Sequence, residues 1–184
     1  MDHNNDGQID FRDLPIYKKA MELSDIVDRL LEHVEREDLT DTNEAQPHKD
    51  LLKHYFQSSK EHMLANALII PTKIAGAHGI NLYDIKMESA ALIRKAAREL
   101  ITDARGLQMS GYRDTEYLDV LRKEVDEFRI VFAQWVAGFD NDDYIIDRWG
   151  LFNPPGVNYD DVDPDDDLPF NPVDFMEDGD DMDD

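Results

Sequence analysis

Apolar residues recur every three or four positions along four stretches of the chain, and each stretch predicts a helix that buries one face. The sharpest is the last, where Leu118, Leu121, Val125, Phe128, Phe132, Trp135 and Phe139 form the seam of a helix packed lengthwise on others. Before it, residues Tyr83 to Met109 carry Ile93, Ala97, Leu100, Ala104 and Leu107 on one face, with Ala90, Ala96 and Ile101 beside them. The alanines permit close approach of a neighbouring helix. Ser110-Gly111-Tyr112-Arg113 is a short turn, which makes these two helices antiparallel neighbours. Asp114 is placed to cap the second of them, with Glu116 in its first turn.

The first helix is expected to start near Leu14-Pro15, because proline is tolerated in a first turn. Ile16, Ala20, Leu23, Val27, Leu30 and Val34 form its stripe, thickened by Tyr17, Ile26 and Leu31, and it fades over residues 35–38. Polar residues 39–47 end in Pro47 and read as a loop. The second helix begins near His48 and is expected to turn Leu51, Leu52, Tyr55, Phe56, Met63, Leu64, Leu68 and Ile69 inward. Pro71 falls inside that pattern, so a kink or a break is expected there. Ile74-Ala75 continue the face before Gly76 and Gly79 end it.

These elements define an all-α protein, an antiparallel up-and-down four-helix bundle over residues 14–139. After Phe139 the pattern breaks at Asp140-Asn141-Asp142-Asp143. Residues 140–157 hold Tyr144, Ile145, Ile146, Trp149, Leu151 and Phe152 beside prolines and glycines. That mixture predicts an extended segment docked on the bundle or on a neighbouring subunit. Residues 158–184 are rich in aspartate and are expected to form a disordered acidic C-terminal tail. Leu168, Phe170, Val173, Phe175 and Met176 interrupt the charge and offer the alternative of a short partner-binding element.

Composition changes this picture through charge. The net charge of -23 is unevenly spread over the 184 residues. Residues 14–139 hold 21 acidic and 17 basic side chains, whereas residues 140–184 hold 17 acidic and one basic. The acidity belongs mainly to the tail, and the body is nearly balanced. No cysteine is present, which excludes disulfides, thiolate metal sites and cysteine nucleophiles and fits a reducing compartment. The first residues have no signal-peptide pattern, and no apolar run reaches the roughly 20 residues of a membrane span. A cytoplasmic protein with no membrane partner is expected.

The first 13 residues form an acidic leader with the spacing of a calcium loop. Asp2, Asn4 and Asp6 stand at loop positions 1, 3 and 5, Gly7 permits the turn, and Gln8 offers its carbonyl. Asp10 sits where a water-mediated ligand is usual and Asp13 at position 12, as in the loop of dockerin modules, which it resembles. The alternative is a solvated leader whose Asp13 caps the first helix. No other cofactor is implied. Phosphate loops, nucleophile elbows and His-Glu-x-x-His pairs are absent, and the Asp50, His54 and His62 spacing does not converge on one metal, so catalysis is not expected.

The basic residues point elsewhere. Arg94, Arg98 and Arg105 share a face of the third helix, with Lys95 alongside and Lys86 earlier, while Lys49, Lys53 and Lys60 form a row on the second. Such rows grip phosphates, or else they are solvated faces neutralised by Glu99, Asp103, Asp50 and Glu61.

Leu14-Pro15-Ile16-Tyr17-Lys18-Lys19-Ala20 resembles the opening of the four-helix-bundle proteins of ribosomal-RNA intervening sequences. Leu68-Ile69-Ile70-Pro71-Thr72-Lys73-Ile74-Ala75-Gly76-Ala77-His78-Gly79 resembles that family's Ser-Ile-Pro-x-Asn-Ile-Ala-Glu-Gly signature, with departures at Ile69, Lys73 and Gly76. Asn81-Leu82-Tyr83, the alanine-rich helix and the ending Trp135-Val136-Ala137 are similar to one branch, the accessory variability determinants of diversity-generating retroelements. The resemblance implies a homo-oligomer, a barrel-like pentamer in that branch, that binds a reverse transcriptase and its template RNA. It assigns the cationic rows to the partner or RNA surface. The function expected is that of a non-enzymatic accessory or adaptor. The alternative is a protein-interaction scaffold with an acidic tail and no nucleic-acid role.

Overall fold

A computed structural model describes residues 10–36, 46–112 and 115–162, without the side chains of residues 35, 36 and 46–49. Among the described residues the protein is all-helical, with four helices and no strand. They are α1 (Pro15–Arg36), α2 (Gln46–His78), α3 (Tyr83–Met109) and α4 (Thr115–Ala137). A 3-10 turn at Phe11–Asp13 leads into α1, and the Asp10 carboxylate caps it by accepting the Arg12 N–H at 2.9 Å.

The core gathers the apolar rows of all four helices. Leu23, Val27 and Leu30 of α1, Met63, Ile70 and Ile74 of α2, Ile93, Leu100 and Leu107 of α3, and Leu118 and Leu121 of α4 are fully buried. Each helix meets its chain neighbours, and α4 closes on α1. Lys19 near the start of α1 reaches Glu124 and Glu127, while the His33 ring near its end packs at a tilt against Tyr117. Similarly, Tyr55 of α2 lies against Gly106 of α3 and His62 against Asp103 and Glu99.

Two expectations for α2 are corrected. Of the kink or break expected at Pro71, the break is absent, and the helix continues to His78. A proline cannot donate to the carbonyl four residues back, here that of Ala67. The Ser24 hydroxyl of α1 donates to that oxygen at 3.0 Å and so replaces the missing partner. The inner face is also rotated from the expected one. Phe56, Ser59, Met63, Asn66, Ala67, Ile70, Ile74 and Ala77 are buried, whereas Leu51, Tyr55, Leu64, Leu68 and Ile69 are exposed. Ser59 and Asn66 occupy inner positions that apolar counting gives to leucines.

Ser24→Ala is expected to cost about 1–2 kcal/mol, the penalty of a buried acceptor left without a donor. In a Pro71→Ala background, where residue 71 regains its N–H, the same change should cost about 1 kcal/mol less. Urea denaturation of the four proteins measures the coupling, and equal costs in both backgrounds would remove this explanation of the unbroken helix.

A second cross-helix device went unseen in the sequence. The Lys19 ammonium, 17% exposed, lies 2.6 Å from Glu124, 2.7 Å from Glu127 and 3.1 Å from Glu22. Burial pushes this ammonium down, but the three carboxylates outweigh it and hold its pKa well above the usual lysine value. Hydrogen bonding from Lys19 in turn holds Glu127 below the usual glutamate value of 4.5. Lys19→Met is expected to cost about 1–2 kcal/mol at pH 7, discounted from a fully buried pair because water reaches this seam. A lowered carboxylate pKa contributes stability above the unfolded value and loses it as pH falls through the folded one. The gap between wild type and variant should therefore narrow below pH 4.5, a trend that urea melts at pH 7 and pH 3 would check.

The segment after α4 docks on the bundle. Leu82 gives α3 no side-chain cap, and the Asp143 carbonyl instead accepts the Tyr83 N–H at 2.7 Å. The nearly buried Asp84 carboxylate accepts the Ile145 N–H at 3.1 Å, and Ile146 is buried at 5% exposure. Beyond it the chain curls on Asp147, whose carboxylate accepts the N–H groups of Trp149, Leu151 and Phe152 and is held below the usual aspartate range by them. The expected cap Asp114 and residues 163–184 of the expected tail lie outside the described residues.

Candidate functional site

The seam of α4 divides along its length. Leu118, Leu121 and Phe128 are buried, but Val125, Phe132 and Trp135 are only half-buried. They are half-buried because α3 packs broadly on α2 and only lightly on α4, which leaves a groove of about 870 Å³ along the α3–α4 seam. Ala97 and Ile101 of α3 with Val125, Phe128, Phe132 and Val136 of α4 form its apolar lining. Phe128, Phe132, Trp135 and Phe139 continue as a ladder of rings with centroids 6.1, 6.2 and 4.7 Å apart.

The groove has a cationic rim. Arg94, Arg98 and Arg105 are exposed on its α3 side, spaced four and seven residues apart and so nearly in line along the helix. Arg129 stands on the α4 side. The Arg122 side chain donates to Gln108 at 2.8 Å, and the same register sets Arg129 level with Ile101, between Arg98 and Arg105. Asp126 is the acidic lining residue, 3.5 Å from Arg129 and largely exposed, so it neutralises little.

The carboxylates expected to neutralise the α3 row are engaged elsewhere. Glu99 lies 2.7 Å from Lys95, whose ammonium holds its carboxyl below the usual range, and 3.6 Å from His62. Asp103 takes His62 Nδ1 at 2.9 Å, and burial pushes its carboxyl up despite that neighbour. Among the described residues no carboxylate pairs with Arg94, Arg98 or Arg105. Three exposed guanidiniums therefore line the α3 side of an apolar groove, an arrangement that can receive an anion carrying flat or apolar groups.

Among the described side chains, the other basic candidates do not line this groove. Lys95 is paired with Glu99, and the Lys86 ammonium sits over the Phe139 ring, 5.7 Å from its centroid. Lys53 is exposed on α2, Lys60 is half-buried and already engaged, and the side chain of Lys49 lies outside the described residues. Arg129 was missed because its meaning depends on register. The signal was the short turn between α3 and α4, which fixes the level of each residue across the hairpin.

Of the candidate calcium ligands, Asp2, Asn4, Asp6 and Gln8 lie outside the described residues. Asp10 is clamped by the Arg12 guanidinium, which pulls its carboxyl down to about 2, and Asp13 lies 3.3 Å from Lys18. Both described carboxylates thus hold a cation of the chain itself. No group of three His, Asp or Glu side chains among the described residues is arranged to hold a metal. No described helix is long and apolar enough to cross a membrane.

No protein family matches the chain, and neither the curated proteins nor the solved structures contain a match to it.

Proposed function

We propose that the protein is a non-enzymatic, self-associating antiparallel helical bundle that serves as an accessory to a reverse transcriptase and its RNA, as in diversity-generating retroelements. The observation that carries this reading is the row Arg94, Arg98 and Arg105, unpaired among the described residues and aligned along an apolar groove with Arg129 opposite. Guanidiniums engage phosphates bidentately and stack on bases, and the half-buried Phe132 offers a ring within the same groove. The resemblance of residues 14–20, 68–79 and 81–137 to the accessory branch of the intervening-sequence bundles supports the choice of partner. The reading requires no ion in the leader.

Fluorescence anisotropy with a single-stranded RNA across a salt series tests it. Four guanidinium–phosphate contacts predict log affinity falling with log salt at a slope of about -3. An affinity indifferent to salt, or no binding at low salt, would refute it.

Self-association is supported by the face of α2 that turns outward. Leu68 is 66% exposed, with Leu64 one turn before it and Ile69 beside it, and Leu92 is exposed on the adjoining helix. Large apolar side chains exposed on adjoining helices offer surface for a partner copy. Leu68→Glu is expected to shift the protein toward monomer in sedimentation velocity with its helical circular dichroism unchanged. An unaltered sedimentation profile would exclude this face.

A further inference from the structure

We infer that the α3–α4 groove is the seat of the chain's own acidic segment, residues 163–184, which competes there with an external anion. This inference rests on the groove being an anion-accepting surface, and not on RNA being the partner.

Charge gives the first argument. Residues 163–184 contain 11 acidic side chains and no basic one, whereas the groove rim presents Arg94, Arg98, Arg105 and Arg129 against a single Asp126. A polyanion tethered to the same chain is at a millimolar effective concentration near that rim. Pattern gives the second argument. Leu168, Phe170, Val173, Phe175 and Met176 fall within ten residues, with Asp163, Asp165, Asp166 and Asp167 before them and Glu177 and Asp178 after them. An apolar stretch between two acidic ones matches a groove that is apolar along its floor and cationic along its edge. A purely solvating tail has no need of two phenylalanines.

Reach gives the third. From Arg94 to Arg105 the groove is about 16 Å long at the helical rise, while 22 residues extend to about 70 Å. The launching point is also at the correct end. The chain leaves α4 at Ala137, a lining residue, and Asp143 and Ile145 tie it to the first turn of α3. Arg148 Nη1 then holds the carbonyls of Tyr159 and Asp161 at 3.1 and 2.7 Å, so the last described residues stay near the segment tied to the first turn of α3.

The absence of cysteine provides a clean test in the full chain. A nitroxide on Gly179→Cys marks the segment without removing an apolar anchor. Amide signals of residues 94–105 and 125–137 should lose most of their intensity relative to the reduced label. Arg98→Glu with Arg105→Glu should restore them. Broadening spread evenly over the surface, or confined to the Leu64–Leu68 face, would overturn the inference. So would broadening that appears only when spin-labelled and isotope-labelled chains are separate molecules, because the occupant would then be a second copy. RNA titration of the same samples separates the two readings. Groove broadening without RNA binding leaves the tail in place and removes RNA, whereas RNA binding without groove broadening removes the tail.

Discussion

Replacing Phe128 by alanine is expected to lower stability by about 4 kcal/mol, which for a chain of this size lowers Tm by about 10–15 °C. The ring is 2% exposed and belongs to the core that joins all four helices. Removing a fully buried aromatic ring forfeits about 3–5 kcal/mol of transfer and cavity energy. The Phe128–Phe132 ring contact, with centroids 6.1 Å apart, adds a smaller loss. Ile130 is two residues away and 60% exposed, so Ile130→Ala should change stability by less than about 0.5 kcal/mol. Calorimetric melts of the two variants compare the buried and solvent faces of α4 directly. Similar losses at both positions would mean that this helix is covered by something besides its own bundle. Phe128 also lines the α3–α4 groove, so its loss should loosen the groove wall as well as the core.

Residues that bury through a strict three-four repeat announced their helices accurately. The stripe of α1 gave a start, and the alanine-rich face of α3 both bounds, that agree with the structure to within a residue. Both helices are punctuated by Pro15 at one start and by the Ser110-Gly111 turn at one end, and such signals act locally. α2 was harder because its inner face is a mixture. Ser59 and Asn66 are buried, while Leu51 and Leu68 face outward, so counting apolar residues rotated the helix. The continuity of α2 through Pro71 was also not legible, since the donor that rescues the Ala67 carbonyl comes from Ser24 on another helix. The same limit governed the candidate site. Glu99 and Asp103 have the spacing to neutralise the arginines of α3, but His62 and Lys95 hold them instead. Sequence gives the charges on one helix, and packing decides which remain free.

That difference makes the paired charge reversal Arg98→Glu with Arg105→Glu the sharpest functional prediction. Single-stranded RNA affinity should fall by at least about a hundredfold, and the salt slope should shrink by about 1.4 for the two lost phosphate contacts. Each reversal removes a bidentate donor and places a carboxylate where a phosphate would lie. A combined loss of about 3 kcal/mol corresponds to that factor. Stability should change little, because both side chains are exposed and neither is paired with a carboxylate among the described residues. Lys95 supplies the internal comparison. It lies three residues before Arg98 on neither groove wall, with its ammonium already 2.7 Å from Glu99, so Lys95→Ala should leave RNA affinity nearly unchanged. Losses in proportion to the charge removed, one unit for Lys95→Ala against four for the arginine pair, would show a diffuse electrostatic attraction in place of a groove. A selective loss, with the slope reduced only in the arginine variant, ties binding to the α3–α4 seam. The reason is that net charge is altered in both variants, whereas the groove rim is altered in only one.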